Sequence, residues 1–253
     1  MMQKLEDFFL PIADKLAKNR YLTAIRDGFI AILPVMIVGS FFVLINNVII
    51  GENGFTNKLF GMPFTGLTEF GAVVVPATMS IMAVLLTFTT AKSLSEQYGD
   101  TGSVVPAIAV VSLFVLMPVT FDGDMGIEYI NTYYTGAASM FSAFIAAILT
   151  VELVRLFSRV DAFVIKMPDS VPPAISRSFN QLIPVMFTVL IFALVRIITN
   201  KVGMPLNDII FSVIQTPFTS IVSSGLGLTV IYFLYMLLWG LGIHTAFIFN
   251  PIL

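Results

Sequence analysis

The chain has 253 residues, 57% of them hydrophobic and 11% charged, with a mean hydropathy of +0.95 and a formal net charge of -2. An ordinary soluble domain carries about 25% charged residues, so this chain cannot cover itself with polar surface, and a lipid bilayer must be the solvent for most of it. The near-neutral charge gives no footing for nucleic acid; the lack of cysteine excludes disulfides, thiolate metal sites and a cysteine nucleophile, and a single histidine excludes a multi-histidine metal site.

Residues 1–20 are charged throughout, with Lys4, Glu6, Asp7, Asp14, Lys15, Lys18 and Arg20, and do not resemble a cleavable signal peptide. Leu5, Phe9, Ile12 and Leu16 recur at helical spacing. That pattern fits an amphipathic helix on the membrane surface and equally a solvated helix packed on the protein. Beyond it lie about six apolar stretches, near 23–48, 71–91, 103–120, 136–157, 179–200 and 224–243, whose centres hold no Asp, Glu, Lys or Arg. A transmembrane helix needs about 20 apolar residues, and a central charge costs roughly 2.5–3.5 kcal/mol on insertion scales. The runs are continuous and not alternating, which selects helices over a barrel. The expected fold is all-α: a polytopic transmembrane helical bundle of about six membrane spans plus interfacial amphipathic helices.

Lysine and arginine set the expected orientation. Lys4, Lys15, Lys18, Arg20, Arg26, Lys92, Arg155, Arg159, Lys166 and Arg177 fall on the N-terminal segment and even connections, against Lys58, Arg196 and Lys201 on the odd ones. This places the N-terminus in the cytoplasm. The third connection, with Asp122, Asp124 and Glu128, then faces outward. Residues 205–222 share an apolar face at Leu206, Ile210, Ile214, Phe218 and Ile221, broken by Asn207, Asp208 and Gln215. They read as an outer interfacial linking helix begun by Pro205, or as a poor extra span.

His244 follows the last span in Trp239-Gly-Leu-Gly-Ile-His244-Thr245. Its ring can hydrogen-bond a sugar hydroxyl and accept the proton, because its pKa suits base catalysis near neutrality; a histidine satisfied by a neighbouring helix is the other reading. Trp239 can stack on a sugar ring or anchor the membrane interface. Arg26-Asp27, the Glu152/Arg155 pair three residues apart, and Arg177 after Pro172-Pro173 read first as interface anchors and next as structural ion pairs. No Walker loop, dinucleotide glycine motif or metal-ligand cluster is present, no cofactor or metal is expected, and no span centre carries the carboxylate that ion-coupled transporters use.

Two stretches carry a resemblance: Tyr21-Leu-Thr-Ala-Ile25-Arg-Asp-Gly28 through Leu33-Pro34 and Gly39-Ser40, and Ser170-Val-Pro172-Pro173-Ala-Ile-Ser176-Arg177 through Leu182-Ile-Pro184. With Gly242-Ile243-His244 as a third element in order, the chain resembles EIIC, the membrane component of the phosphoenolpyruvate:sugar phosphotransferase system, in its lactose/cellobiose/diacetylchitobiose branch. The resemblance implies an N-terminal portion of a longer permease: a cytoplasmic segment at 1–20, a five-helix scaffold and dimer-contact domain at 21–201, a linking helix at 202–223, and the start of a sugar-binding transport domain at 224–253. It further implies a homodimer in a bacterial plasma membrane. An EIIB partner, itself supplied by EIIA, would phosphorylate the translocated disaccharide from its own cysteine. His244 would contact the sugar and orient the reacting hydroxyl, with Trp239 and Asn250 as further substrate-binding positions and Arg26, Asp27 and Arg177 as structural ones. Thr245 departs from the glycine expected after the histidine. The family's glutamate partner of the histidine would lie beyond Leu253. Competing readings are an ion-coupled transporter or channel, and a membrane scaffold that transports nothing by itself.

Overall fold

The computed structural model describes residues 18–51, 54–61, 65–123, 126–165, 167–168, 170–213 and 223–240. The first long helix, α1 (Arg20–Leu44), starts at Asn19, whose side chain accepts from the backbone N–H groups of Tyr21 and Leu22 at 3.0 and 3.2 Å. An Asn in extended conformation at this position satisfies donors that the first turn leaves open. α1 carries Pro34 without ending and runs into a π-helical turn at Ile45–Ile49. A short α2 (Phe55–Phe60) follows.

The second apolar stretch is two helices, α3 (Thr65–Met79) and α4 (Met82–Gln97), which together give an apolar span from Thr68 to Gln97. Pro76 lies in the last turn of α3, where its ring removes a backbone donor and weakens continuation of the helix. The third stretch is shorter than expected. α5 covers only Val104–Leu116, because Met117 turns to an extended ψ of 138° ahead of Pro118. Its 13 residues rise about 20 Å, short of the roughly 30 Å of a hydrocarbon core.

The chain then forms a small antiparallel hairpin, β1 (Thr120–Asp122) with β2 (Ile127–Tyr129), pairing Phe121 with Glu128. This is an addition to the helical expectation, and it occupies the acidic third connection. A single turn, α6 (Thr132–Thr135), leads through Ala137–Ser139 into α7 (Met140–Phe157). The fifth stretch is likewise divided, into α8 (Pro173–Asn180) and α9 (Leu182–Val202). Gly203, at φ +84°, closes α9 in the left-handed conformation that favours glycine, and Pro205 follows. Residues 206–213 form α10, and Gly225–Gly240 form α11. Among the described residues four helical stretches are long and apolar enough to cross a membrane: Arg20–Ile49, Thr68–Gln97, Ala137–Phe157 and Leu182–Val202.

α4 is the centre of the bundle and packs on α1, α5 and α7, while α9 covers α5 and α7. Its inward face is Ala83, Leu86, Thr87, Thr90, Ala91, Leu94 and Ser95. Facing it, α7 presents Ser142, Ala143, Ala146, Ala147, Thr150 and Val151. Small residues on both faces let backbones approach, as helices in lipid must when no hydrophobic force separates inside from outside. Large apolar side chains point outward instead: Ile37, Phe41, Val73, Leu190 and Leu194 are all more than half exposed. α1 and α4 come close together at Gly28, where a Cβ would lie 2.4 Å from Thr90 Oγ1. Thr89 there donates its hydroxyl to the Gly28 carbonyl at 3.0 Å.

Candidate functional site

The alternating helices bring the start of α1, the ends of α4 and α7, and the start of α9 to one end of the bundle. Glu152, on the last turns of α7, is the hub. Its Oε1 accepts from the Tyr21 hydroxyl of α1 at 3.2 Å and from the Tyr98 hydroxyl after α4, and its Oε2 accepts from Arg155 at 3.1 Å. The Arg155 guanidinium lies over the Tyr98 ring at 3.9 Å, with Arg20 at 4.9 Å from the same ring. Cations held over an aromatic face at these distances are attracted by its quadrupole. Lys92 donates to the carbonyls of Thr101 at 2.5 Å and Gly102 at 3.3 Å, closing the α4–α5 turn. Gln181 donates to Asp100 at 3.3 Å, tying α9 to that turn. This constellation fastens helices together.

A second polar cluster lies at the other end. Arg196 donates to the carbonyl of Leu116 at 3.2 Å, so a cation sits on the C-terminus of the short α5, where the helix dipole favours it. The Tyr134 hydroxyl donates to Asp208 at 3.4 Å, and Ser142 donates to the side-chain carbonyl of the buried Asn207. These bonds hold α10 against α6 and α7. Burial pushes the Tyr133 and Tyr134 phenols above their ordinary value, and the Asp208 carboxylate adds to both.

The residues singled out from the sequence are distributed unevenly. Arg26 and Asp27 form an ion pair at 2.9 Å, and Ser93 of α4 donates to Asp27 at 3.2 Å, so the pair braces α1 on α4. Arg177 lies on α8 and Trp239 on α11; their side chains lie outside the described residues. His244 and Asn250 also lie outside them. The Glu152/Arg155 pair is formed as its spacing predicts, at 3.1 Å. Sequence reading missed Tyr21 and Tyr98 as its partners, which are 131 and 54 residues away from Glu152. No local pattern marks such a pairing; two tyrosines at span ends are its only trace. Among the described residues, no three His, Cys, Asp or Glu side chains gather in a way that could hold a metal ion.

The family described as "Phosphotransferase system, EIIC" matches residues 26–253. The oligo-beta-mannoside-specific EIIC component of Bacillus subtilis (strain 168) is 33% identical over 100% of this chain and 57% of its own length. The lactose-specific EIICB component of Streptococcus mutans is 30% identical over 95% of this chain and 42% of its own. Among solved structures, the chain is similar to the transporter ChbC, the IIC component of the N,N'-diacetylchitobiose-specific phosphotransferase system. That similarity has a TM-score of 0.77 at 28% identity, covering 98% of this chain and 60% of that one. The chain thus spans about half the length of the curated relatives it matches.

Proposed function

We propose, given that this chain belongs to the phosphotransferase system EIIC family, that it is the scaffold and the beginning of the transport domain of a permease. The permease translocates a disaccharide of the cellobiose/lactose/diacetylchitobiose class across the bacterial plasma membrane while EIIB phosphorylates it. The observation that carries this reading is the family match over residues 26–253. The absence of cysteine from these 253 residues fits it, since a phosphocysteine donor then lies outside them. So does the absence of acidic or basic residues from the span centres, since phosphoryl transfer supplies the energy that an ion gradient would otherwise provide. The name of the lactose-specific relative joins the C and B components in one protein, which supports EIIB as the immediate partner; EIIA as the donor to EIIB belongs to the same proposal.

In this reading the domains divide at 20, 201 and 223, with the N-terminus cytoplasmic and the chain dimerising through its scaffold. His244 accepts a hydrogen bond from the sugar hydroxyl and takes its proton as the hydroxyl oxygen bonds to phosphorus and the S–P bond of the EIIB phosphocysteine breaks. Trp239 offers a ring face to the sugar and Asn250 an amide. Arg26, Asp27 and Arg177 keep structural parts. The test is uptake of labelled cellobiose, lactose and diacetylchitobiose by the full-length protein with EIIA, EIIB and phosphoenolpyruvate. The expected product is the sugar phosphate, and His244→Ala abolishes it. Unphosphorylated sugar inside, or uptake driven by an ion gradient alone, overturns the reading.

One observation favours a second reading for this stretch of chain by itself: residues 18–202 supply every buried residue of two clusters, around Leu86/Leu113, with Leu206 packed against it, and around Leu94/Ala147. A self-contained core of this kind supports a scaffold that folds and dimerises without binding sugar. Equilibrium binding of the three disaccharides to the 253-residue chain separates the two readings.

A further inference from the structure

At the end of the bundle where α1 begins, a cavity of about 430 Å³ opens between the α4–α5 turn, the end of α7 and the start of α9. Its walls include Ser95, Tyr98, Asp100, Arg155, Ser158 and Gln181. It is an order of magnitude larger than the roughly 30 Å³ of a water molecule and within the roughly 300–1,000 Å³ of small-molecule sites. Two of its polar atoms have no partner: the hydroxyl of Ser95, a residue only 2% exposed, and the buried Oε1 of Gln181. Buried polar atoms of this kind are normally satisfied, and an occupant of the cavity would bond them. Asp100 accepts from Gly102 N–H with Oδ1 and from Gln181 with Oδ2, which leaves a lone pair on each oxygen. Arg155 bonds Glu152 through Nη1, one of its several donor groups. The wall therefore carries one anion and one cation, at separate elements, and sums to zero charge.

Zero net charge with both signs present selects a zwitterion over a simple anion or cation. The cavity also lies at the ends of the Thr68–Gln97, Ala137–Phe157 and Leu182–Val202 stretches, the depth at which lipid head groups lie. The residues next to Arg155 and Gln181 in the chain are Leu156 and Leu182, both more than half exposed. An apolar tail can lie along them while a polar head enters. We propose that this cavity binds the head group of a zwitterionic phospholipid of the ethanolamine type, the phosphate at Arg155 and the ammonium at Asp100 and Gln181. Such a lipid would fasten α9 to the α4–α5 turn and to α7 across a gap that protein atoms leave open.

The test reconstitutes the full chain in equimolar phosphatidylethanolamine and phosphatidylglycerol, then counts lipids retained through detergent by native mass spectrometry. Wild type is expected to retain phosphatidylethanolamine in preference. Asp100→Asn, which keeps an acceptor for Gly102, and Gln181→Leu are expected to hold it about tenfold more weakly. A cooperative melting transition of both variants in detergent confirms that they fold. Equal retention by variants and wild type, or equal retention of phosphatidylglycerol, overturns the proposal. Free phosphoethanolamine at millimolar concentration is the control for source. If it displaces the lipid, the site belongs to a soluble zwitterion and the lipid assignment falls; if it does not, the lipid stands.

Discussion

Replacing Gly28 by alanine tests how closely α1 and α4 must approach. The new Cβ would stand 2.4 Å from Thr90 Oγ1, 3.0 Å from Thr90 N and 3.1 Å from Thr90 Cα. The hydroxyl can rotate away, but the other two atoms are backbone. Reaching ordinary contact of about 3.5 Å requires the helices to separate by several tenths of an ångström. Overpacking of this kind costs about 1–3 kcal/mol, and loss of the Thr89 bond to the Gly28 carbonyl adds about 0.6 kcal/mol. Alanine's better helix propensity returns about 1 kcal/mol. The net expectation is destabilisation by about 0.6–2.6 kcal/mol, a change in the unfolding constant of roughly 3- to 80-fold. Reversible unfolding in mixed micelles measures it. Adding Thr90→Ala should restore only part of the loss, because it removes the side-chain atom and leaves the backbone. A Gly28→Ala chain as stable as wild type within about 0.5 kcal/mol, or full rescue by Thr90→Ala, refutes the argument that backbone contact sets the spacing.

Three further outcomes follow from the polar clusters. Glu152→Leu removes the acceptor shared by Tyr21, Tyr98 and Arg155 and should destabilise the bundle by about 1–3 kcal/mol, with Glu152→Gln closer to wild type; denaturant midpoints in detergent check the order. Asn207→Leu breaks the Ser142 bond and should raise amide hydrogen exchange selectively at 206–213, leaving α4 and α7 protected. The raised Tyr133 and Tyr134 phenols make the attachment of α10 alkali-sensitive. Its stability is complete below the ordinary phenol value of about 10 and falls as pH rises above it, because the unfolded phenols ionise before the folded ones. Asp208→Asn should narrow that loss, read as exchange at 206–213 against pH.

The apolar runs by themselves determined that this chain is a helical membrane protein, because in lipid every backbone polar group must be satisfied within a segment and only a long apolar helix does so without partners. The span positions near 136–157 and 179–200 were legible to within a few residues, and the spacing of Glu152 and Arg155 announced their ion pair. Local chemistry that acts at a distance of one or two residues was readable in principle, but its strength was not: Pro118 ended α5 at Leu116, and Pro76 preceded the break between α3 and α4. The acidic 120–129 connection became a hairpin because its two halves found each other across a turn, which hydropathy does not register. Tertiary structure alone decided that Glu152 would gather Tyr21 and Tyr98, that Gly28 would meet Thr90, and that Ser95 and Gln181 would face a shared cavity. Those pairings join residues tens of positions apart, and their geometry depends on how helices rotate and tilt against one another. That rotation is set by the packing of small side chains such as Ala91 and Ala147, and no periodicity within a single helix encodes it.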